Sequence, residues 1–322
     1  MSNHSPAFGI LLIGFNRPDF IRDRVEEICA LELPRLHIYV SLDYPRDGNL
    51  LDLSSHREIL EYLRTVRKKH NINIFIEKSN QGCDKHIPSA ISRVLQNCQG
   101  VLVIEDDIII SPNDIRAILH LAKLNYEKKV TGPIVAMSGV AGNNSINFNM
   151  WRKTRYFSAW GYFLFNNFWL LHKEICELDY YSIKKLLDNS SSWINLSRRK
   201  RSVWKERFSR ANYDYSIQRS VFALNAEVYA PVFRISNNIG FESAKASHTR
   251  FPPPIYLRKL VNFPSRTFRL NQIKSPALVR SLLWFDSNTW AGDGLLSQRG
   301  RSIGLRTFIK LSFRKIANSI NE

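Results

Sequence analysis

Between Val101 and Ile110, three consecutive acids, Glu105, Asp106 and Asp107, interrupt a run that is otherwise entirely aliphatic. Val101–Ile104 has the character of a strand buried on both faces, where no charge is tolerated. The acids must therefore stand where the strand leaves the core. Alternation along a strand puts Glu105 and Asp107 on one side and Asp106 on the other. Carboxylates at the carboxyl end of a strand sit where open α/β sheets bind ligands. A hard divalent cation shared with phosphate takes one or two carboxylates, with water and phosphate oxygens completing its shell. The alternative is a strand-to-loop turn whose acids are merely solvated.

The residues before this point alternate between strand and helix patterns. Phe8–Phe15 reads as a strand, and Pro18-Asp19 opens a helix to about Leu31. Leu36–Leu42 is a second strand, followed by a turn-rich segment at 43–48 and a helix over Leu51–Lys69. Ile72–Glu77 is a short strand, and Asp84–Cys98 a helix feeding Val101. Ser111-Pro112-Asn113-Asp114 caps a further helix to about Tyr126, and Pro133–Ser138 is another strand. This alternation predicts a parallel, doubly wound α/β sheet with right-handed crossovers. No Gly-x-Gly-x-x-Gly or Walker-type loop occurs, which argues against an ordinary dinucleotide or P-loop enzyme.

From about Trp151 the character changes. Tyr156–Phe165 is aromatic and strand-like, interrupted by Gly161; Asn166–Glu177 and Tyr181–Asp188 read as helices. Asn189–Arg201 reads as an exposed loop ending in four consecutive basic residues. Asn212–Asn225 is a further helix and Glu227–Ile235 a strand. Beyond Phe251, a proline triplet and scattered cations suggest an extended segment closed by a basic amphipathic helix over Leu305–Ile320. The expected division is 1–150, 151–250 as the other half of the same domain, and 251–322 as a basic extension.

Charge placement is more informative than the total of +18. Residues 1–150 hold 17 basic and 17 acidic side chains, residues 151–249 hold 16 and 8, and residues 250–322 hold 13 and 3. The excess therefore lies in the second half, suited to nucleic acid, an anionic membrane surface or an anionic acceptor. No nucleic-acid-binding fingerprint accompanies it, so no nucleic-acid partner is expected. No stretch approaches the length of a membrane span, and residues 1–7 lack the basic region of a signal peptide. Cys29, Cys83, Cys98 and Cys176 show no paired spacing, in keeping with idle thiols in a reducing cytoplasm.

Several polar residues fall at the same sheet edge as the acids. Asn16-Arg17-Pro18 follows the first strand and Asp43 the second. An arginine there neutralises phosphate or stacks on a base, and an aspartate accepts from an imide or a ribose hydroxyl; Asn16 and Asp43 could equally cap turns. Gly82, Lys85 and His86 surround a helix start suited to anions, or a plain turn. Asp214, between Tyr213 and Tyr215, is either a general base in a cleft or a helix N-terminal acid favoured by the dipole. His248 is a metal ligand or a structural histidine.

Taken in order, these residues resemble the GT-A nucleotide-sugar glycosyltransferases, N-acetylglucosaminyltransferase I and its bacterial relatives above all. The matching elements are Asn16-Arg17, Val40-Ser41-Leu42-Asp43, Glu105-Asp106-Asp107 with Pro112, Ala159-Trp160-Gly161-Tyr162, Asp214, Gly240 and Ser247-His248. They span about residues 8–250. About fifty residues separate Gly161 from Asp214, which implies a helical insertion. The resemblance implies a GT-A, Rossmann-like fold and a Mn²⁺- or Mg²⁺-dependent inverting transferase. Its donor is a nucleoside-diphosphate sugar, UDP-linked if the pattern holds. Asp107, with His248, is implied as metal ligand. Asn16, Arg17, Asp43, Lys85, Glu105 and Asp106 fall on the donor side, Trp160, Gly161 and Tyr162 on the acceptor side, with Asp214 as catalytic base.

The acceptor expected is a glycan or lipid-linked molecule of surface polysaccharide synthesis. In the Leu305–Ile320 segment Leu305, Phe308, Ile309 and Phe313 interleave with Arg306, Lys310, Arg314 and Lys315. That pattern suits peripheral attachment to an inner membrane face, or a packed terminal helix. Two rival classes remain. A sugar-nucleotidyltransferase needs a Gly-rich basic loop after the first strand, which residues 14–18 do not supply. A non-catalytic basic binding protein leaves Glu105–Asp107 without a purpose.

Overall fold

The computed structural model describes residues 7–31, 33, 36–126, 132–136, 151–231 and 235–240. Within these the chain runs β1 (Phe8–Gly14), α1 (Pro18–Cys29), β2 (Leu36–Leu42), α2 (Leu50–Arg67), β3 (Ile72–Ile76), α3 (Cys83–Leu95), β4 (Gly100–Glu105), β5 (Ile108–Ile110) and α4 (Pro112–Asn125). It continues β6 (Ile134–Val135), β7 (Trp151–Thr154), β8 (Tyr162–Phe165), α5 (Asn166–Glu177), α6 (Tyr180–Asp188), α7 (Ser191–Ile194), α8 (Arg198–Phe208), α9 (Tyr213–Ala223), β9 (Val228–Pro231) and β10 (Ser236–Asn238).

The main sheet has the order β3-β2-β1-β4-β8-β6-β9-β7. β1, β2, β3 and β4 are mutually parallel, with Phe8 opposite both Leu36 and Gly100. All seven β1 residues are buried. Alternation sends Phe8, Ile10 and Leu12 to a core shared with α1, α2 and α4, and Leu11 and Ile13 to one shared with α3, α5 and α9. Helices thus cover both faces, and the α/β class with a mostly parallel central sheet is as expected.

The sheet departs from the sequence reading beyond β4. β8 inserts antiparallel between β4 and β6, and β6 pairs parallel with β9. The aromatic run 156–165 forms a strand only over Tyr162–Phe165. Gly161 stands at φ +81°, and any side chain there would press on Ile110 Cδ1. That left-handed turn breaks the extended run.

The presumed loop at 189–201 is also corrected. It holds α7 and the start of α8, with Ser197 Oγ capping α8 by accepting from Lys200 N at 3.2 Å. Trp193 and Trp204 anchor these helices, packing with Leu187, Leu196 and Phe222 into a third core. The basic run is a solvated helix start on that anchor, which a count of polar residues hides. The Leu305–Ile320 segment, the rest of 251–322 and His248 lie outside the described residues. No helix among the described residues is long and apolar enough to cross a membrane.

Candidate functional site

The chain leaves β1 toward β2 on one side and returns to β4 on the other. The carboxyl ends of β1 and β4 therefore flank the point where strand order reverses, the crevice in which open α/β sheets hold ligands. A cavity of about 530 Å³ lies there, walled by Ile13–Arg17 at and beyond the end of β1, Asp43 after β2, Gly82 with Cys83 and His86 at the start of α3, and Glu105–Asp107 at and beyond the end of β4.

The acidic run is not one strand. β4 ends at Glu105, Asp106-Asp107 form a turn, and β5 belongs to a second, two-stranded sheet with β10. Strict alternation therefore stops at Glu105, and the expected pairing of Glu105 with Asp107 on one side is replaced. Arg17 gathers Asp106 and Asp107 instead, its Nη2 2.5 Å from Asp106 Oδ1 and its Nη1 2.9 Å from Asp107 Oδ2. Glu105 accepts from the Tyr213 hydroxyl at 3.0 Å. Burial, and then the charge of Asp107, pushes Glu105 up to about 8 against the pull of that hydrogen bond. Burial also raises Asp106 above the ordinary carboxylate range, against the attraction of Arg17.

Asn16 is set by a network that sequence reading missed. Its Nδ2 donates to Asp52 Oδ1 at 2.7 Å, and Arg46 grips the same buried carboxylate through Nε at 2.6 Å and Nη2 at 2.9 Å. Asn49 caps α2 by accepting from Asp52 N. An Asn-x-x-Asp spacing before a helical run was the available signal. Asp43 has both oxygens engaged by the neighbouring loop. Oδ1 accepts from Gln81 N at 2.9 Å and Oδ2 from Gly82 N at 2.8 Å. Its role in this structure is to hold the start of α3 beside the cavity. His86 lines that cavity, with Nε2 2.8 Å from Ser41 Oγ, whereas Lys85 is exposed and outside the lining.

On the other side of the acids, Tyr213 opens α9, and its backbone N–H donates to Asp84 Oδ1 at 3.0 Å. Burial, and then the charge of Glu105, holds the Tyr213 phenol far above its usual range, so it remains a donor. Tyr213 also lines a second cavity of about 510 Å³ between α3, α5 and α9. Asp214 is half-buried, and burial raises its carboxyl; it lies outside the lining of the first cavity. Trp160 is partly exposed. Tyr162 is not: it is fully buried with its ring edge-on to Phe157 at 4.9 Å, so it offers no face to a sugar. An acceptor-side role in which the Tyr162 ring meets a sugar does not fit this packing, because β8 lies between β4 and β6.

Among the described residues no group of three or more His, Cys, Asp and Glu side chains is arranged to hold a metal. Two observations nonetheless fit a cation shared with a ligand's oxygens. Asp106 Oδ2 is buried without a hydrogen-bond partner, and Asp107 borders the cavity. The pairing of β10 with β5 also brings Gly240 against Asp107, with Ile239 N donating to Asp107 O at 2.9 Å. A Cβ on Gly240 would collide with the Asp107 carboxylate, so only glycine leaves that oxygen its place. Gly240 enters the site through this strand pairing, and no local spacing foretells it.

No family model matches the chain, and no curated protein matches it in sequence. Among solved structures, residues 1–349 of TarS from S. aureus are similar at 12% identity, covering 97% of this chain and 80% of that one, with a TM-score of 0.46. A mannosyltransferase from Pyrobaculum calidifontis, PcManGT, solved with GDP-Man and Mn²⁺, is similar at 9% identity over 69% of this chain and 70% of its own (TM-score 0.38). A 4-diphosphocytidyl-2C-methyl-D-erythritol synthase from Anaerococcus prevotii is similar at 7% identity over 54% and 77%, with a TM-score of 0.34. Likenesses of this size carry no functional reading, which rests on the residues of the crevice.

Proposed function

We propose that the chain is a nucleotide-sugar glycosyltransferase of the GT-A type. It would take a nucleoside-diphosphate sugar, UDP-linked as the resemblance implies, and transfer its sugar with inversion to a glycan or lipid-linked acceptor of surface polysaccharide synthesis. One observation carries the reading: an arginine and three acids from β1 and β4 converge in a cavity at the switch point of a mostly parallel sheet. A diphosphate needs positive charge there, and the acid turn needs a cation once Arg17 is drawn to phosphate.

Asp107 is the residue that would hold Mn²⁺ or Mg²⁺, with Asp106 beside it. Held there, such an ion would supply stabilisation for the charge of a departing diphosphate. Arg17 binds the diphosphate, and Asn16, fixed by Asp52, orients the nucleotide. Glu105, held by Tyr213, keeps a hydrogen-bonding oxygen toward the donor sugar. Asp214 takes the acceptor hydroxyl proton as that oxygen attacks the anomeric carbon opposite the leaving group. A base must stand across from the diphosphate. Asp214 is the residue we assign to that place: it adjoins Tyr213 in sequence, and burial raises its carboxyl, which favours proton uptake.

The test is a thermal shift with UDP and UDP-sugars, with and without Mn²⁺, on the full chain and on Asp107→Asn. A bound donor stabilises the folded state by mass action. Metal-dependent stabilisation is expected for the parent chain and not for Asp107→Asn. Absence of stabilisation by every nucleotide sugar tried would sink the reading.

A further inference from the structure

Residues 180–210 carry nine Lys and Arg against two acids, one of which, Asp188, is paired with Lys184 at 2.9 Å and the other, Glu206, with Arg210 at 3.0 Å. This stretch is α6, α7 and α8, a layer fixed to the domain through Leu187, Trp193, Leu196 and Trp204 against Phe222. Its exposed residues are both cationic and apolar. Lys185, Arg198, Arg199 and Lys205 are exposed. So are Tyr180 at 69%, Tyr181 at 81% and Ile194 at 49% of their surface. The two tyrosine rings stand edge to face at 5.7 Å. Single exposed apolar residues mean little; two adjacent tyrosines and an isoleucine on a layer of net charge +7 are a different matter.

We infer that the α6–α8 layer docks on an anionic bilayer. Cations on a helical layer draw it to acidic lipid headgroups, and tyrosines settle at the headgroup boundary, where the ring is sheltered and the hydroxyl stays wet. The exposed Ile194 has no use for a nucleic-acid phosphate, but it gains by entering the acyl boundary. Two other occupants are disfavoured by charge. Residues 250–322 carry thirteen cations against three acids, and a second copy would bring like charge to like. The surface is distinct from the crevice, so it stands or falls without the transferase reading.

The experiment is sedimentation of the full chain with vesicles of mixed phosphatidylglycerol and phosphatidylcholine, against phosphatidylcholine alone. The variants are the triple Lys185→Gln, Arg198→Gln, Arg199→Gln and the single Tyr181→Ser. All these side chains are exposed, so an unchanged melting temperature serves as the folding control. Each cation at an anionic leaflet contributes about a fivefold factor, so the triple variant should lose about 100-fold in partitioning to the mixed vesicles. Tyr181→Ser should lose severalfold. A triple variant that binds like the parent assigns any binding to another surface, residues 250–322 included, and overturns the inference. Equal binding to neutral vesicles, or retention on duplex DNA but not on vesicles, overturns it too.

Discussion

Gly240 is pressed against Asp107: a Cβ built on the glycine would lie 2.9 Å from the Asp107 Cγ and closer still to Oδ2. The two residues are far apart in sequence and meet because β10 pairs with β5. Gly240→Ala should therefore push the Asp107 carboxylate out of place while leaving both sheets intact. The expected outcome is loss of Mn²⁺-dependent stabilisation by UDP, with the melting temperature of the unliganded chain lowered by only a few degrees. Donor binding at the parent level would show that Asp107 is free to move.

Arg17 is the counter-charge for two acids at once, and its own side chain is only 16% exposed. Removing one partner of a buried ion pair strands the other, at a typical cost of about 3 kcal/mol. Arg17→Met should show that loss in urea unfolding. Asp106→Asn in the same chain should restore part of it, since one of the two stranded charges is gone. Two losses that simply add would mean that Arg17 stabilises the fold through some other contact.

The α6–α8 layer gives a prediction inside the region that the sequence suggested was loop. Trp193 is 1% exposed and packs against Phe222, with ring centroids 5.8 Å apart. Trp193→Ala should destabilise the chain by about 3–5 kcal/mol, the usual cost of emptying a large aromatic site. Arg198→Ala, five residues on, should change stability by less than about 0.5 kcal/mol. If both substitutions prove neutral in chemical denaturation, the layer is not anchored as described.

What was legible in the sequence follows the physics of each element. Strands buried on both faces, such as Phe8–Gly14, announce themselves by aliphatic runs, and α5 by its apolar spacing. Arg17 and the acids could be placed on one edge because parallel strands deliver their carboxyl ends together. Contacts across long separations could not be read this way. Tyr213 meets Glu105 across 108 residues, and Asp52 meets Asn16 across 36. Local patterning also misjudged 189–201, where Trp193, with Trp204 just beyond, outweighs four consecutive cations. Tyr162 was misassigned because an aromatic strand looks the same whether it lines a cleft or fills a core.

His172 supplies a prediction on pH. It is 4% exposed, with Nδ1 2.8 Å from Ser220 Oγ and its ring beside Trp169. Burial, and then the charge of Arg219, pushes it from its usual 6.5 down to about 4. The folded chain therefore keeps His172 neutral where an unfolded one would protonate it. Between pH 6.5 and 4 the unfolded state binds the extra proton, so stability falls as pH drops through that window and is unaffected by this group above it. The whole loss amounts to about 3 kcal/mol at its acid end. Glu105 acts in the opposite sense, since its raised value makes the folded state lose stability as pH climbs toward 8. Unfolding by urea at pH 7, 5.5 and 4, for the parent chain and His172→Gln, separates the contributions. The variant should start less stable at pH 7 but lose less on acidification, and parallel acid profiles would mean that His172 takes up its proton as readily folded as unfolded.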